Sequence, residues 1–160
     1  YPVSLVKKQP WQAGDTLKAP MLALTLQEIS LNGADGFYSG KVALDIVNTL
    51  ARAGGLVSLN DLKNYKAVWR KPVVGYFNGY QIISMPPPSS GGIALIQLLK
   101  GFDYLRGDTL KHNSALYIHL LTELERRVYA DRSVYLGDDD FYPVPVDQLL
   151  DTAYLNHRFS

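Results

Sequence analysis

Cysteine is absent from the 160 residues. That excludes disulfides, thiol catalysis and thiolate metal sites, but it names no compartment, because secreted chains can also lack cysteine. Charge imbalance is nearly absent too. Sixteen Lys and Arg against 15 Asp and Glu leave a formal charge of +1, so nothing electrostatic argues for nucleic acid. No apolar run is long enough to span a bilayer. The chain starts at Tyr1, not at methionine, and its opening residues do not read as a secretory signal. From these terminal gaps we expect a piece of a longer protein. What is present is globular: 47% of residues are hydrophobic and 19% charged, in a chain long enough for one domain with a core.

The chain is organised around Tyr80 to Gly101. A β-rich run enters, and Pro86, Pro87 and Pro88 stop it, since proline has no N–H for a sheet. Ser89 and Ser90 come next, and one or the other is placed to cap a helix. Gly91 and Gly92 allow close backbone approach or unusual φ. Helix N-termini attract anions, so Ser89, Ser90, Gly91 and Gly92 are the candidate binding residues.

Around this junction the pattern is mostly helical. Tyr1 to Ala19 reads as irregular, with Asp15 or Thr16 starting a turn. Pro20 then opens a helix to Asn32 with Leu22, Leu26 and Ile29 on one face, stopped by Gly33. A second helix, about Gly40 to Ala53, carries Val42, Ile46, Val47 and Leu50 and ends at Gly54-Gly55 in a left-handed cap. Ser58 and Asp61 have capping-box spacing before a short helix, Leu59 to Tyr65. Ala67 to Phe77 and Tyr80 to Met85 flank Asn78-Gly79, the strongest short hairpin signal, and Pro72 delays the first strand. We expect a helix from Gly92 to Lys100 with Gly101 at its end, and a turn at Gly107. A long helix should run from Asn113 or Ser114 to about Leu136, with Tyr117, Leu121, Leu124, Val128 and Tyr135 inward and Gly137 as cap. A short helix is expected at Val146 to Leu150, before a weakly patterned tail. The result is α+β and helix-rich, with about six helices and one β-hairpin. A lone hairpin is marginal in water, which again suggests an incomplete chain.

Other constellations have plain structural explanations. Ser89-Ser90 lacks a G-x-S-x-G elbow, and its nearest strong partners in sequence, His112 and His119, belong to another element. His119, Glu123 and Arg127 share a helix face; metal ligation needs more ligands, so i,i+4 charge pairing on a solvated or interface face is preferred. No metal or cofactor is expected. Asp131 and Arg132 read as an ion pair tying the helix end to the following loop, and not as a carboxylate grip. Asp138 to Asp140 lack the spacing of a calcium loop and read as turn caps. Trp11 and Trp69 read as packing residues. Gly-Asp-Thr-Leu occurs at Gly14 and Gly107 with unlike flanks, so it is not a repeat.

Several blocks taken together resemble the large subunit of the γ-glutamyltranspeptidase family. They are Gly14-Asp-Thr-Leu17; Gly36-Phe-Tyr-x-Gly40; Gly54-Gly-Leu56 with Asp61-Leu62 and Tyr65; Met85-Pro-Pro-Pro-Ser-Ser-Gly-Gly92; and Tyr129-Ala-Asp-Arg-Ser133 with Leu136-Gly-Asp138 and Asp140-Phe141. They run in the family's order over about 14–150, and the order is more specific than any one block.

The resemblance implies a fragment of an N-terminal-nucleophile hydrolase αββα sandwich, with residues 1–160 as a single partial domain, the C-terminal part of the large subunit. It implies autoproteolysis into two subunits and a partner small subunit whose N-terminal threonine attacks the γ-glutamyl amide of glutathione or a related compound, its own α-amine serving as base. It also implies a periplasmic or cell-surface location. The family's threonine lies beyond the matched tract, and Thr16, Thr25, Thr49, Thr109, Thr122 and Thr152 sit in the wrong context. The family's glutamyl-binding arginine has no counterpart among Arg52, Arg70, Arg106, Arg126, Arg127, Arg132 and Arg158. This chain alone is therefore expected to be inactive, and its exposed apolar faces to drive homo-oligomerisation. The alternative is a non-catalytic interaction or anion-binding module.

Overall fold

The computed structural model describes residues 9–160; the part of the expected irregular stretch before residue 9, Pro2 included, lies outside the described residues. There are two compact units, divided between Val68 and Trp69.

The first unit is helical. Its opening turn runs from Gln12 to Asp15, with Asp15 closing it: the Gln12 amide donates to Asp15 Oδ2 at 2.7 Å. α1 (Pro20–Asn32) starts at the proline and stops at Gly33, whose amide donates to the Ile29 carbonyl. Its expected inward face is not buried: Leu22 and Leu26 are each 56% exposed, since no layer among the described residues of the unit covers them. A one-turn helix unforeseen from sequence, α2 (Asp35–Tyr38), comes next. Gly36 is required there, because a Cβ would lie 2.2 Å from the Glu28 carbonyl oxygen. α3 (Gly40–Arg52) buries Ala43. It ends as expected: Gly54 has φ +78°, and the Gly55 and Gly54 amides donate to the Leu50 and Ala51 carbonyls, a Schellman cap. α4 (Leu59–Asn64) carries the reciprocal Ser58–Asp61 capping box. Tyr65 after it stacks on Tyr38 at 5.6 Å.

The second unit is built on one helix. β1 (Val73–Phe77) and β2 (Tyr80–Ser84) pair antiparallel, Val73 opposite Ser84 and Phe77 opposite Tyr80. Asn78 and Gly79 at φ +50° and +79° make the turn. β1 begins directly after Pro72, as the missing N–H requires. Val73 and Ile82 face α5 (Gly91–Tyr104), while Val74, Tyr76 and Ile83 are exposed on the other side. α5 carries Ile93 and Ile96 into one core cluster with Val73, Val144 and Leu149. α6 (Ala115–Tyr135), capped by Ser114 on the Tyr117 amide, gives Leu124 and Val128 to a second cluster with Leu155 and Phe159. Burying one such side chain contributes roughly 1.5–3 kcal/mol. α7 (Val146–Leu150) and α8 (Thr152–Phe159) close the unit.

The described residues are thus α+β, helix-rich, with one two-stranded antiparallel sheet. Besides the exposed face of α1, four expectations fail. Eight α-helices are present among the described residues, not six; α2 is too short to show a period, and α8 is signalled mainly by its cap, Asp151 Oδ1 accepting from the Tyr154 amide at 2.9 Å. Gly101 does not end α5: it sits inside, where a Cβ would lie 2.6 Å from Leu124 Cδ2 and 2.9 Å from Phe159 Cζ. Gly137 is no left-handed cap; α6 ends at an extended Leu136. Trp69 does not pack, being fully exposed, and Trp11 is 43% exposed.

Candidate functional site

The Pro-Ser-Gly junction is the strand-to-helix turn foreseen. Met85 to Ser90 are irregular, with the Ser89 amide donating to the Pro86 carbonyl at 3.1 Å. Gly91 and Gly92 have no positive φ; their value is proximity. A Cβ on Gly92 would lie 2.3 Å from the Met85 carbonyl oxygen and 2.5 Å from Val73 Cγ2, so this buried glycine lets α5 start against the strand it has just left.

The two serines divide the work. Ser89 Oγ accepts from the Gly91 amide at 3.3 Å, a long cap. Ser90 holds the N-cap position, but its backbone is αR and its side chain caps nothing. Its Oγ instead accepts from Arg132 Nε at 3.0 Å. The sequence offered Ser89 or Ser90 as the cap, and Ser89 is the one that caps; it also paired Arg132 with Asp131, and the structure gives each a different partner. Arg132 also lies over the Tyr129 ring at 5.9 Å.

Asp131 points the other way, into the unit. Its Oδ1 accepts from Arg158 Nε on α8 at 2.9 Å, and its Oδ2 from Gln97 Nε2 on α5 at 3.4 Å. Gln97 also donates to the Leu149 carbonyl at 2.9 Å, and Arg158 to the Arg127 carbonyl at 3.1 Å. Asp131 and Gln97 are the buried polar pair, at 4% and 1% exposure. The hydroxyl of Tyr154 is pushed up to about 12, first by burial and then by its hydrogen bond to the Asp131 carboxylate. So α6 ties α5, α7 and α8 together from inside through Asp131, while Arg132, the next residue, holds the turn from outside. The sequence did not reveal the partners Gln97, Tyr154 and Arg158, because nothing local distinguishes them.

The other candidates resolve as structure. Glu123 pairs with Arg126 at 2.6 Å and Arg127 at 2.9 Å, which hold its carboxyl below the usual range. With His119 it lines a groove of about 640 Å³ between leucines and Phe159, and none of its lining residues belongs to the Ser-Gly turn. His112 packs edge-on against Tyr117 at 5.3 Å; neither histidine is a partner of the serines. Asp138 Oδ1 accepts from the Asp140 amide, and Asp139 Oδ1 from the Val144 amide, as turn caps. Asp140 pairs with Arg70 at 2.6 Å, which lowers its carboxyl, a contact the sequence did not reveal. Among the described residues, no group of three or more acidic or histidine side chains is placed to hold a metal, and no helix is long and apolar enough to cross a membrane.

A family model described as gamma-glutamyltranspeptidase matches residues 3–160. The glutathione hydrolase proenzyme of Pseudomonas aeruginosa is 47% identical over 150 residues, which is 92% of this chain and 27% of that protein. The glutathione hydrolase proenzyme of Escherichia coli is 44% identical over 146 residues, 91% of this chain and 25% of that protein. A solved gamma-glutamyltranspeptidase from Helicobacter pylori superposes with a TM-score of 0.80 at 46% identity, covering 93% of this chain and 43% of that one. The chain therefore spans about a quarter of the length of these proenzymes.

Proposed function

This chain belongs to the gamma-glutamyltranspeptidase family, and we propose that it is a supporting part of an enzyme that transfers or hydrolyses γ-glutamyl groups, without activity of its own. The carrying observation is the state of four of its six threonines. Thr25, Thr49, Thr109 and Thr122 each donate their hydroxyl to a backbone carbonyl three or four residues back. A hydroxyl spent in this way is a helix or turn ornament, not a nucleophile beside a free amine. The reactive threonine then belongs to a second subunit, formed by autoproteolysis, and the substrate is glutathione or another γ-glutamyl compound. The exposed outer face of the hairpin, with Val74, Tyr76 and Ile83, supports an αββα sandwich whose second sheet lies outside this chain. Residues 1–160 are then one partial domain, C-terminal in the large subunit of a periplasmic or cell-surface enzyme. The same open faces would drive self-association of the isolated chain.

Within that enzyme, Ser89, Ser90, Gly91 and Gly92 form part of the surroundings of the γ-glutamyl pocket. Ser89 and Ser90 are half-buried and Gly91 is exposed, so they offer donors to an anionic group; Gly92, being buried, acts by setting the backbone. The test is turnover of a γ-glutamyl anilide. The isolated chain is expected to give none, and the full-length protein to cleave itself to a threonine N-terminus and then turn over. A full-length protein that does neither would refute the assignment.

A further inference from the structure

We propose that Arg132 is a positioning residue that fixes Ser90 as a hydrogen-bond donor toward the substrate, an inference that rests on the reading of the Ser-Gly turn as a substrate contact. A serine hydroxyl has one proton and two lone pairs, and arginine has donors only. Arg132 Nε donates to Ser90 Oγ at 3.0 Å, so that contact uses a lone pair and cannot take the proton. Among the described residues the one side-chain hydrogen bond of Ser90 is the one it accepts from Arg132. Its proton is left for an oxygen acceptor arriving from outside, such as a carboxylate or amide carbonyl of the γ-glutamyl compound.

The backbone of Ser90 rules out the usual fate of a serine at this position. A serine at the N-cap ordinarily turns its oxygen onto the second or third helical amide and becomes an acceptor there. Ser90 occupies the N-cap of α5 with φ −79° and ψ −14°, and makes no such bond. Ser89 supplies a substitute cap, through the Gly91 amide. Arg132 is held in place for its task. Its neighbour Asp131 is buried and bound to Arg158 and Gln97, which fixes the rotation of the last turns of α6. The guanidinium rests over Tyr129. Arg132 and Ser90 lie 42 residues apart, so the pairing is a tertiary device and not a local turn.

The experiment is steady-state kinetics of the full-length enzyme on a γ-glutamyl anilide, comparing Ser90→Ala, Arg132→Met, the double variant and Arg132→Lys. Ser90→Ala is expected to raise KM about 3- to 10-fold, the size of one ordinary hydrogen bond, with kcat little changed. Arg132→Met should raise KM by a similar factor. The double variant should be no worse than either single one, and Arg132→Lys, which keeps a donor, should fall between wild type and Arg132→Met. An unchanged KM in Arg132→Met beside a raised KM in Ser90→Ala would overturn the positioning role and spare the site. Multiplying effects in the double variant would overturn it too, by showing that the two residues act separately. If Ser90→Ala and Ser89→Ala both leave KM unchanged, the site reading falls and the positioning role falls with it. Should Arg132→Met not accumulate, Arg132→Ala serves in its place, with circular dichroism reporting that each variant is folded.

Discussion

Removing Arg158 should cost this fold more than removing Asp131, although the two form one ion pair. Deleting one partner of a buried pair costs about 3–5 kcal/mol, because the other charge is left without compensation. The partners are unequally buried: the Asp131 side chain is 6% exposed and that of Arg158 31%. Asp131→Ala orphans the more exposed charge, which regains water by a small movement, so we place it at the low end, about 3 kcal/mol. Arg158→Ala orphans a carboxylate that keeps only the Gln97 amide at 3.4 Å and the Tyr154 hydroxyl, and it also frees the Arg127 carbonyl. That belongs nearer the upper end, about 4–5 kcal/mol. Urea unfolding followed by circular dichroism reads the difference: at about 2 kcal/mol per molar, the midpoints should drop by roughly 1.5 and 2 M. A double variant much milder than the sum would complete the case. Singles within about 0.5 kcal/mol of wild type, as for a surface pair, or a reversed order, would refute the burial argument.

Three other perturbations have definite expected outcomes. Gly101→Ala should lose about 1–3 kcal/mol by crowding Leu124 and Phe159, outweighing the gain of about 1 kcal/mol from helix propensity; equal or higher urea stability would mean that the helices part without cost. The Arg70–Asp140 pair keeps the Asp140 carboxyl lowered. Its contribution is present above the ordinary carboxylate range and is lost as pH falls through the lowered value. A carboxyl-carbon NMR titration should show Asp140 protonating at a lower pH than in Arg70→Met, where the lowering is lost. Ultraviolet titration should find one tyrosine ionising near 12 and missing from Tyr154→Phe; stability should fall as pH rises from about 10 toward that value, since the unfolded tyrosine ionises first.

The sequence revealed most where one residue type solves a backbone problem. Asn78-Gly79 named its hairpin because both positions need positive φ, and both have it. Ser58 and Asp61 named α4 because the reciprocal bonds need that spacing, and both bonds are made. Reading failed where the deciding partner is far along the chain. Gly101 has the look of a helix stop, yet Leu124 and Phe159 are what require it. Leu22 and Leu26 have the look of a core face, yet no layer among the described residues of their unit covers them. At the candidate site the turn itself was legible, as a proline stop followed by small residues. The hydrogen bond that sets its chemistry, from a residue 42 positions away, was not.

The blocks that carry the family likeness are, residue by residue, the places where this chain cannot tolerate a change of shape. Gly36 lets α2 touch the Glu28 carbonyl, Gly54 and Gly55 end α3, Asp61 caps α4, and Tyr65 stacks on Tyr38. Gly92 seats α5 on the strand before it, and Asp131 ties three helices to a fourth. Each answers a demand of folding, and none performs bond-making chemistry. A likeness built from such residues testifies to the scaffold with great force and to the reaction only through the company the scaffold keeps. That is why the strongest sequence signal in the chain, Pro-Pro-Pro-Ser-Ser-Gly-Gly, is mostly an account of how a helix can begin directly against its own strand. The one part of it that the backbone does not consume is the Ser90 hydroxyl. Ser89 has taken over the capping, and Arg132 has taken the lone pair. A proton kept from the protein at a half-buried turn is the feature by which this scaffold can reach beyond itself.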